Sequence, residues 1–126
     1  MQPFQRLAIV GLGLLGGSVA LAARKHGAAL EIRAVDPKVR DSRGIPLVSL
    51  REAAAWADLV VLAVPVEAME EVLRGVAPHL GRDTLLTDVA SVKGPMAELA
   101  RRLLPRPELC VGAHPMAGGH QTGLAW

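Results

Sequence analysis

Leu7-Ala8-Ile9-Val10, followed at once by Gly11-Leu12-Gly13-Leu14-Leu15-Gly16, is the stretch that decides the fold. A short apolar run that passes through a glycine-rich turn into helical periodicity makes a strand, a tight turn and a helix. This is the arrangement a dinucleotide-binding turn requires. Gly11 permits the turn, Gly13 lets the backbone approach a pyrophosphate with no Cβ in the way, and Gly16 lets the helix pack close to the strand. At the helix N-terminus, unpaired N–H groups and the positive end of the dipole favour an anion without a charged side chain. Leu14 and Leu15 open that helix and join the glycines as expected cofactor contacts. A second strand-like run, Glu31-Ile32-Arg33-Ala34-Val35, ends at Asp36, 20 residues beyond Gly16. That is the spacing of an acidic residue that meets ribose hydroxyls.

Strand-like and helix-like segments alternate along the whole chain. The pattern predicts an α/β fold of Rossmann type, a doubly wound, mainly parallel six-stranded sheet with helices on both faces. A helix is expected over 14–26, stopped by Gly27, with Arg24, Lys25 and His26 complementing the negative end of its dipole. Residues 37–46 are polar and turn-rich, 46–48 read as a short third strand, and Ser49-Leu50-Arg51-Glu52 is a capping box opening a helix through Trp56. The run 58–64 is apolar on both faces, as a central parallel strand is, and Pro65 ends it. A helix over 67–76, a strand over 84–89, a helix opening at Pro95 with Met96, Leu99 and Leu103 inward, and a sixth strand over 109–113 complete the order. Ligands bind beyond the carboxyl ends of parallel strands, so the glycine turn, Asp36, Val64, Pro65, Ser91 and His114 should line one edge.

The composition narrows the function. At 126 residues, 51% apolar and 21% charged, the chain suits one domain with a real core. A net charge of +2 and three aromatic residues offer no surface for nucleic acid or a membrane. No apolar run reaches the roughly 18 residues of a membrane span and no signal segment opens the chain, so a cytoplasmic location is expected. Cys110 is the single cysteine and sits in an apolar run, which suits a buried thiol and excludes a disulfide within the chain. His26 and His79 read as surface or helix-end residues with no ligand partner at metal spacing, so no metal is expected. Asp58 reads as a cap or turn into its strand, and Asp88 as a support for the loop after it.

Thr87-Asp88-Val89-Ala90-Ser91-Val92-Lys93 and Gly112-Ala113-His114-Pro115-Met116-Ala117-Gly118-Gly119, with Gly11 to Ser18, carry a resemblance. The chain resembles, over nearly its whole length, the prephenate and arogenate dehydrogenases of tyrosine biosynthesis. The resemblance implies oxidative decarboxylation of prephenate to 4-hydroxyphenylpyruvate, or of arogenate to tyrosine, with NAD+ as hydride acceptor. By the same resemblance, His114 bonds the substrate hydroxyl and takes its proton, and Ser91 bonds both that histidine and the hydroxyl. An imidazole with an ordinary pKa of about 6.5 suits the task. Lys93 either meets a carboxylate or is a solvated charge. A carboxylate at Asp36 accepts bonds from ribose hydroxyls and repels a 2′-phosphate, so NAD is expected over NADP, with Arg40 and Arg43 near enough in sequence to soften the preference.

The chain departs from the family pattern in two places. His120 stands where the family carries an acidic residue, and it either contacts substrate or faces solvent. Family members also continue into a helical second domain that forms a homodimer and supplies basic residues for the substrate carboxylates. Residues 1–126 are therefore expected to be the NAD(P)-binding domain, with that C-terminal dimerisation and substrate domain absent from this chain. Two other readings stay open. One is a related NAD(P)-dependent hydroxyacid dehydrogenase, against which His114-Pro115-Met116 speaks. The other is a non-catalytic NAD-binding module, which would be indifferent to His114.

Overall fold

The structure, a computed structural model, describes residues 4–39, 42–89, 101–104 and 110–112. Strands β1 (Phe4–Val10), β2 (Ala29–Val35), β3 (Leu59–Leu62), β4 (Leu85–Asp88) and β5 (Cys110–Gly112) form one sheet in the order β2-β1-β3-β4-β5. Every neighbouring pair is parallel. The crossovers are α1 (Leu14–His26), α2 (Leu50–Trp56) and α3 (Val66–Val76), the last running into a 3-10 turn over Ala77–His79. Residues 101–103 are helical and precede β5. Gly27 ends α1 as expected, with φ 66° and its N–H donating to the Ala23 carbonyl.

The expected strand over 46–48 is a single parallel bridge between Leu47 and Ala34, on the outer side of β2. The Ala34 N–H donates to the Pro46 carbonyl at 2.9 Å, and the Val48 N–H to the Ala34 carbonyl at 2.8 Å. Pro46 brings no N–H to a ladder, and Ser49 already caps α2, so the segment has length for one bridge only. The sheet thus has five strands among the described residues, not six. With Leu47 outermost, the spatial order is still that of a doubly wound nucleotide-binding fold.

Alternation along the strands divides the core between the two faces. Leu7 and Ile9 of β1, with Leu59 and Val61 of β3, pack with Ala20 and Ala23 of α1. Ala8 and Val10, with Val60 and Leu62, pack with Ala53 and Ala54 of α2 and with Met69, Leu73 and Val76 of α3. The spacing 69, 73, 76 is one helical stripe, and each of these side chains is fully buried. Burial of one such side chain stabilises by about 1.5–3 kcal/mol, so this stripe holds α3 to the sheet. Leu103, expected inward, is half-buried against the same cluster, while Met96 and Leu99 lie outside the described residues.

The capping box forms as expected. Ser49 Oγ accepts from the Glu52 N–H, and Glu52 Oε1 accepts from the Ser49 N–H, both at 3.1 Å. Ser49→Ala is expected to lower stability by about 1 kcal/mol in urea unfolding. The backbone N–H of Ser49, then its hydroxyl, hold the Glu52 carboxyl below its ordinary 4.5. Because the folded chain binds that proton less tightly than the unfolded chain, the stabilisation is complete above the ordinary value and is lost as pH falls through the lowered one. Glu70, held down by its bond to Arg74, acts in the same direction. Stability should decline below about pH 5, and less steeply in Ser49→Ala.

Thr87, opposite Val61 in the ladder, is buried, and its Oγ1 has no partner among the described residues. A dehydrated hydroxyl without a bond costs about 1–3 kcal/mol, and valine has the same shape without it. Thr87→Val is expected to raise the unfolding free energy by about 1 kcal/mol or more in the same assay. An unchanged or lowered value would mean that the hydroxyl is satisfied.

Candidate functional site

β1 ends at Val10, and the chain leaves the sheet through Gly11 at φ 98°, a region that side-chain-bearing residues avoid. The Gly11 N–H donates to the Val35 carbonyl at 2.8 Å, tying the turn to the end of β2. On its other side the turn presses on the end of β3. A Cβ on Gly11 would stand 2.7 Å from the Ala63 carbonyl oxygen and 3.4 Å from Val64 Cγ1. A Cβ on Gly16 would run into the Gly11 carbonyl and come within 3.0 Å of Ala63 Cβ.

Gly13 differs from both, because a Cβ there would meet no atom of the described residues within 4 Å. Its open side is the room a phosphate needs. Gly13 is also the N-cap of α1, with no side-chain cap and no acidic residue in the first turn. The first N–H groups of a helix have no acceptor within it, and the dipole's positive end is unopposed here. The donor set therefore fits an anion, as the sequence reading requires, and Leu14 and Leu15 supply the first two N–H groups of the helix.

Asp36 follows β2 directly. Its Oδ2 accepts from the Leu12 N–H at 2.8 Å, and its Oδ1 from the Lys38 N–H at 2.9 Å. Pro65 caps α3 with an extended backbone. Gly11, Gly13, Gly16, Asp36, Val64 and Pro65 thus gather at the carboxyl ends of β1, β2 and β3, as expected of one binding edge. A cleft of about 300 Å³ opens beside the turn, lined by Leu12, Gly13, Gly17, Ser18, Leu21, Ser42 and Arg43 among others. Of the cofactor residues named from sequence, Gly13 is among those that line it. Arg43 has a left-handed backbone at φ 54°, and its carbonyl accepts from the Arg24 guanidinium at 2.9 Å.

Sequence reasoning missed Ala63, whose carbonyl and Cβ set how close Gly11 and Gly16 must come. The signal was present as one small residue in the otherwise branched run 59–64. Ser91, Lys93, His114, His120 and Arg40 lie outside the described residues. Asp58 braces the opposite end of the sheet, where its carboxylate accepts from the N–H groups of Gln5 at 3.2 Å and Arg6 at 3.0 Å. Asp88 is buried at the end of β4. His26 is exposed at the end of α1, and no group of three metal-ligating side chains occurs among the described residues. No described helix is long and apolar enough to cross a membrane.

A parallel sheet in doubly wound order, with a glycine turn feeding an uncapped helix N-terminus beside a carboxylate, defines a nucleotide-binding α/β domain. The comparisons specify which one. The family model described as "Prephenate dehydrogenase, nucleotide-binding domain" matches residues 18–126, and the chain belongs to that family. It is 37% identical over 95% of its length to the prephenate dehydrogenase of Lactococcus lactis, and it spans 36% of that relative's length. The prephenate dehydrogenase of A. aeolicus in complex with hydroxyphenyl propionate and NAD+ superposes with a TM-score of 0.77 at 29% identity, over 99% of this chain and 46% of that one. The arogenate dehydrogenase of Synechocystis gives 0.76 at 29% identity, over 96% of this chain and 44% of that one.

Proposed function

We propose that this chain is the NAD-binding part of a cytoplasmic dehydrogenase that oxidatively decarboxylates prephenate or arogenate. The observation that carries the reading is the open, uncapped N-terminus of α1 at Gly13 beside the Asp36 carboxylate, in a chain of this family. Gly13, Leu14 and Leu15 would hold the pyrophosphate through backbone N–H groups, and Asp36 would accept from the ribose hydroxyls. The negative charge of Asp36 disfavours a 2′-phosphate, which supports NAD over NADP. The cofactor supplies the acceptor for hydride. His114 holds the substrate hydroxyl and takes its proton, and Ser91 orients the imidazole. Substrate carboxylates need bidentate cationic partners and a second wall against water. We assign both to a helical second domain beyond these 126 residues, which also makes the homodimer. Prephenate and arogenate are both kept as substrates, since the relatives above are named for one or the other.

Calorimetric titration of this chain with NAD+ and NADP+ tests the cofactor half of the proposal. NAD+ is expected to bind more tightly by about tenfold. Tighter NADP+ binding would overturn the role given to Asp36, and silence with both would overturn the reading as a whole. Formation of NADH with prephenate, then with arogenate, tests the reaction in the chain joined to the remaining two thirds of its Lactococcus lactis relative.

A further inference from the structure

Two consecutive N–H groups of the glycine turn, those of Gly11 and Leu12, are both spent on acceptors at the end of β2. Gly11 donates to the main-chain carbonyl of Val35 at 2.8 Å, an acceptor any residue would offer. Leu12 donates to the carboxylate of Asp36 at 2.8 Å, an acceptor that exists only because of that side chain. The other oxygen of the same carboxylate takes the Lys38 N–H at 2.9 Å, which fixes its orientation. Both oxygens are thus engaged by backbone before any ligand arrives.

We infer that Asp36 is a positioning residue for the diphosphate site as well as a reader of ribose hydroxyls: its carboxylate fastens the peptide between Gly11 and Leu12 to β2 and so aims the following N–H groups, from Gly13 onward, at the ligand. The inference rests on the nucleotide reading given above. Leu12 precedes Gly13 directly, and the Gly11 peptide is already crowded by Gly16 and Ala63. Rotation of the Leu12 N–H away from Asp36 therefore has to be taken up at Gly13, the residue that opens α1. The two roles of Asp36 differ in sign toward a diphosphate. By Coulomb attraction and repulsion alone, deleting a carboxylate near the site tightens an anion. Deleting the fastening weakens it.

ADP and 2′,3′-dideoxy-ADP separate the roles, because both carry adenine and a diphosphate but only ADP offers ribose hydroxyls. In calorimetry, Asp36→Ala is expected to weaken the dideoxy nucleotide by about tenfold, because the ligand must then order a turn that a hydrogen bond to a charged group had held ready. Asp36→Asn keeps one acceptor oxygen for the Leu12 N–H and is expected to recover part of that loss. Dideoxy-ADP binding that is unchanged or tighter in Asp36→Ala would leave Asp36 as a ribose reader only and overturn the inference. Amide hydrogen exchange on the nucleotide-free chain gives a second readout. Leu12 should be protected in the wild type and should exchange about tenfold faster in Asp36→Ala, with the amide of Val61 in β3 unchanged as proof of an intact sheet. Equal Leu12 protection in the two proteins would also overturn the fastening. If the wild type binds neither nucleotide while Leu12 protection still depends on Asp36, the fastening stands and the nucleotide reading falls.

Discussion

Gly16→Ala is expected to abolish measurable NAD+ binding and to lower the melting temperature by about 12–20 °C. The added methyl would run into the carbonyl of Gly11, and Ala63 Cβ at 3.0 Å closes the direction of retreat. Both obstacles are main chain or attached rigidly to it, so no side-chain rotation relieves them. Relief requires the turn to open, and opening breaks the bond from Gly11 to Val35 and the bond from Leu12 to Asp36, each 2.8 Å long. Overpacking of this kind costs about 1–3 kcal/mol, and each hydrogen bond contributes about 1 kcal/mol more. In a chain of this size each kcal/mol moves the melting temperature by roughly 4 °C. Gly17→Ala is the control. A Cβ there would lie 3.5 Å from the Leu12 carbonyl, an ordinary contact, and alanine is the better helix former by roughly 0.5–1 kcal/mol. That variant should melt at or above the wild-type temperature. Equal melting of the two variants by circular dichroism would show that the turn and helix are not packed as described.

His114→Gln is expected to lower kcat by about 10²- to 10⁴-fold in the NADH-forming assay, with NAD+ binding unchanged. Glutamine keeps much of the size and a hydrogen-bonding end, but it cannot hold a proton taken from a hydroxyl. The pH profile distinguishes loss of a base from loss of shape. A histidine that accepts a proton must be neutral, so kcat/KM in the wild type should fall as pH drops through about 6.5, and the residual rate of His114→Gln should lack that limb. A non-catalytic nucleotide-binding module predicts no effect on any of these measurements. An unchanged rate in His114→Gln would remove this residue from the proposed site and leave the base to be sought elsewhere in the chain.

Much of the fold was legible because its signals are local. The bounds of α1 came from Gly27 and the run of small residues before it, and those of α2 from Ser49 and Glu52, where the backbone and side-chain partners are three residues apart. The continuous apolar run in β3 announced a strand covered on both faces, and α1 on one side with α2 and α3 on the other do cover it. The third strand was overestimated for a physical reason. Residues 46–48 have the composition of an edge strand, but a ladder also needs N–H groups and length, and Pro46 and Ser49 leave one bridge to Ala34.

The sequence by itself determined which residues form the turn, the helix it feeds and the acidic partner at the end of β2, since each depends on spacing along a short piece of chain. Only the tertiary structure decided what those residues touch. Leu12 meets Asp36 across 24 positions of sequence. Ala63 joins them because β3 enters the sheet beside β1 and not beside β2. Periodicity records which face of an element is apolar, but it carries no information on which strand arrives next to which. The crossovers settle that, and in doing so they bring the Asp36 carboxylate within bonding distance of the turn.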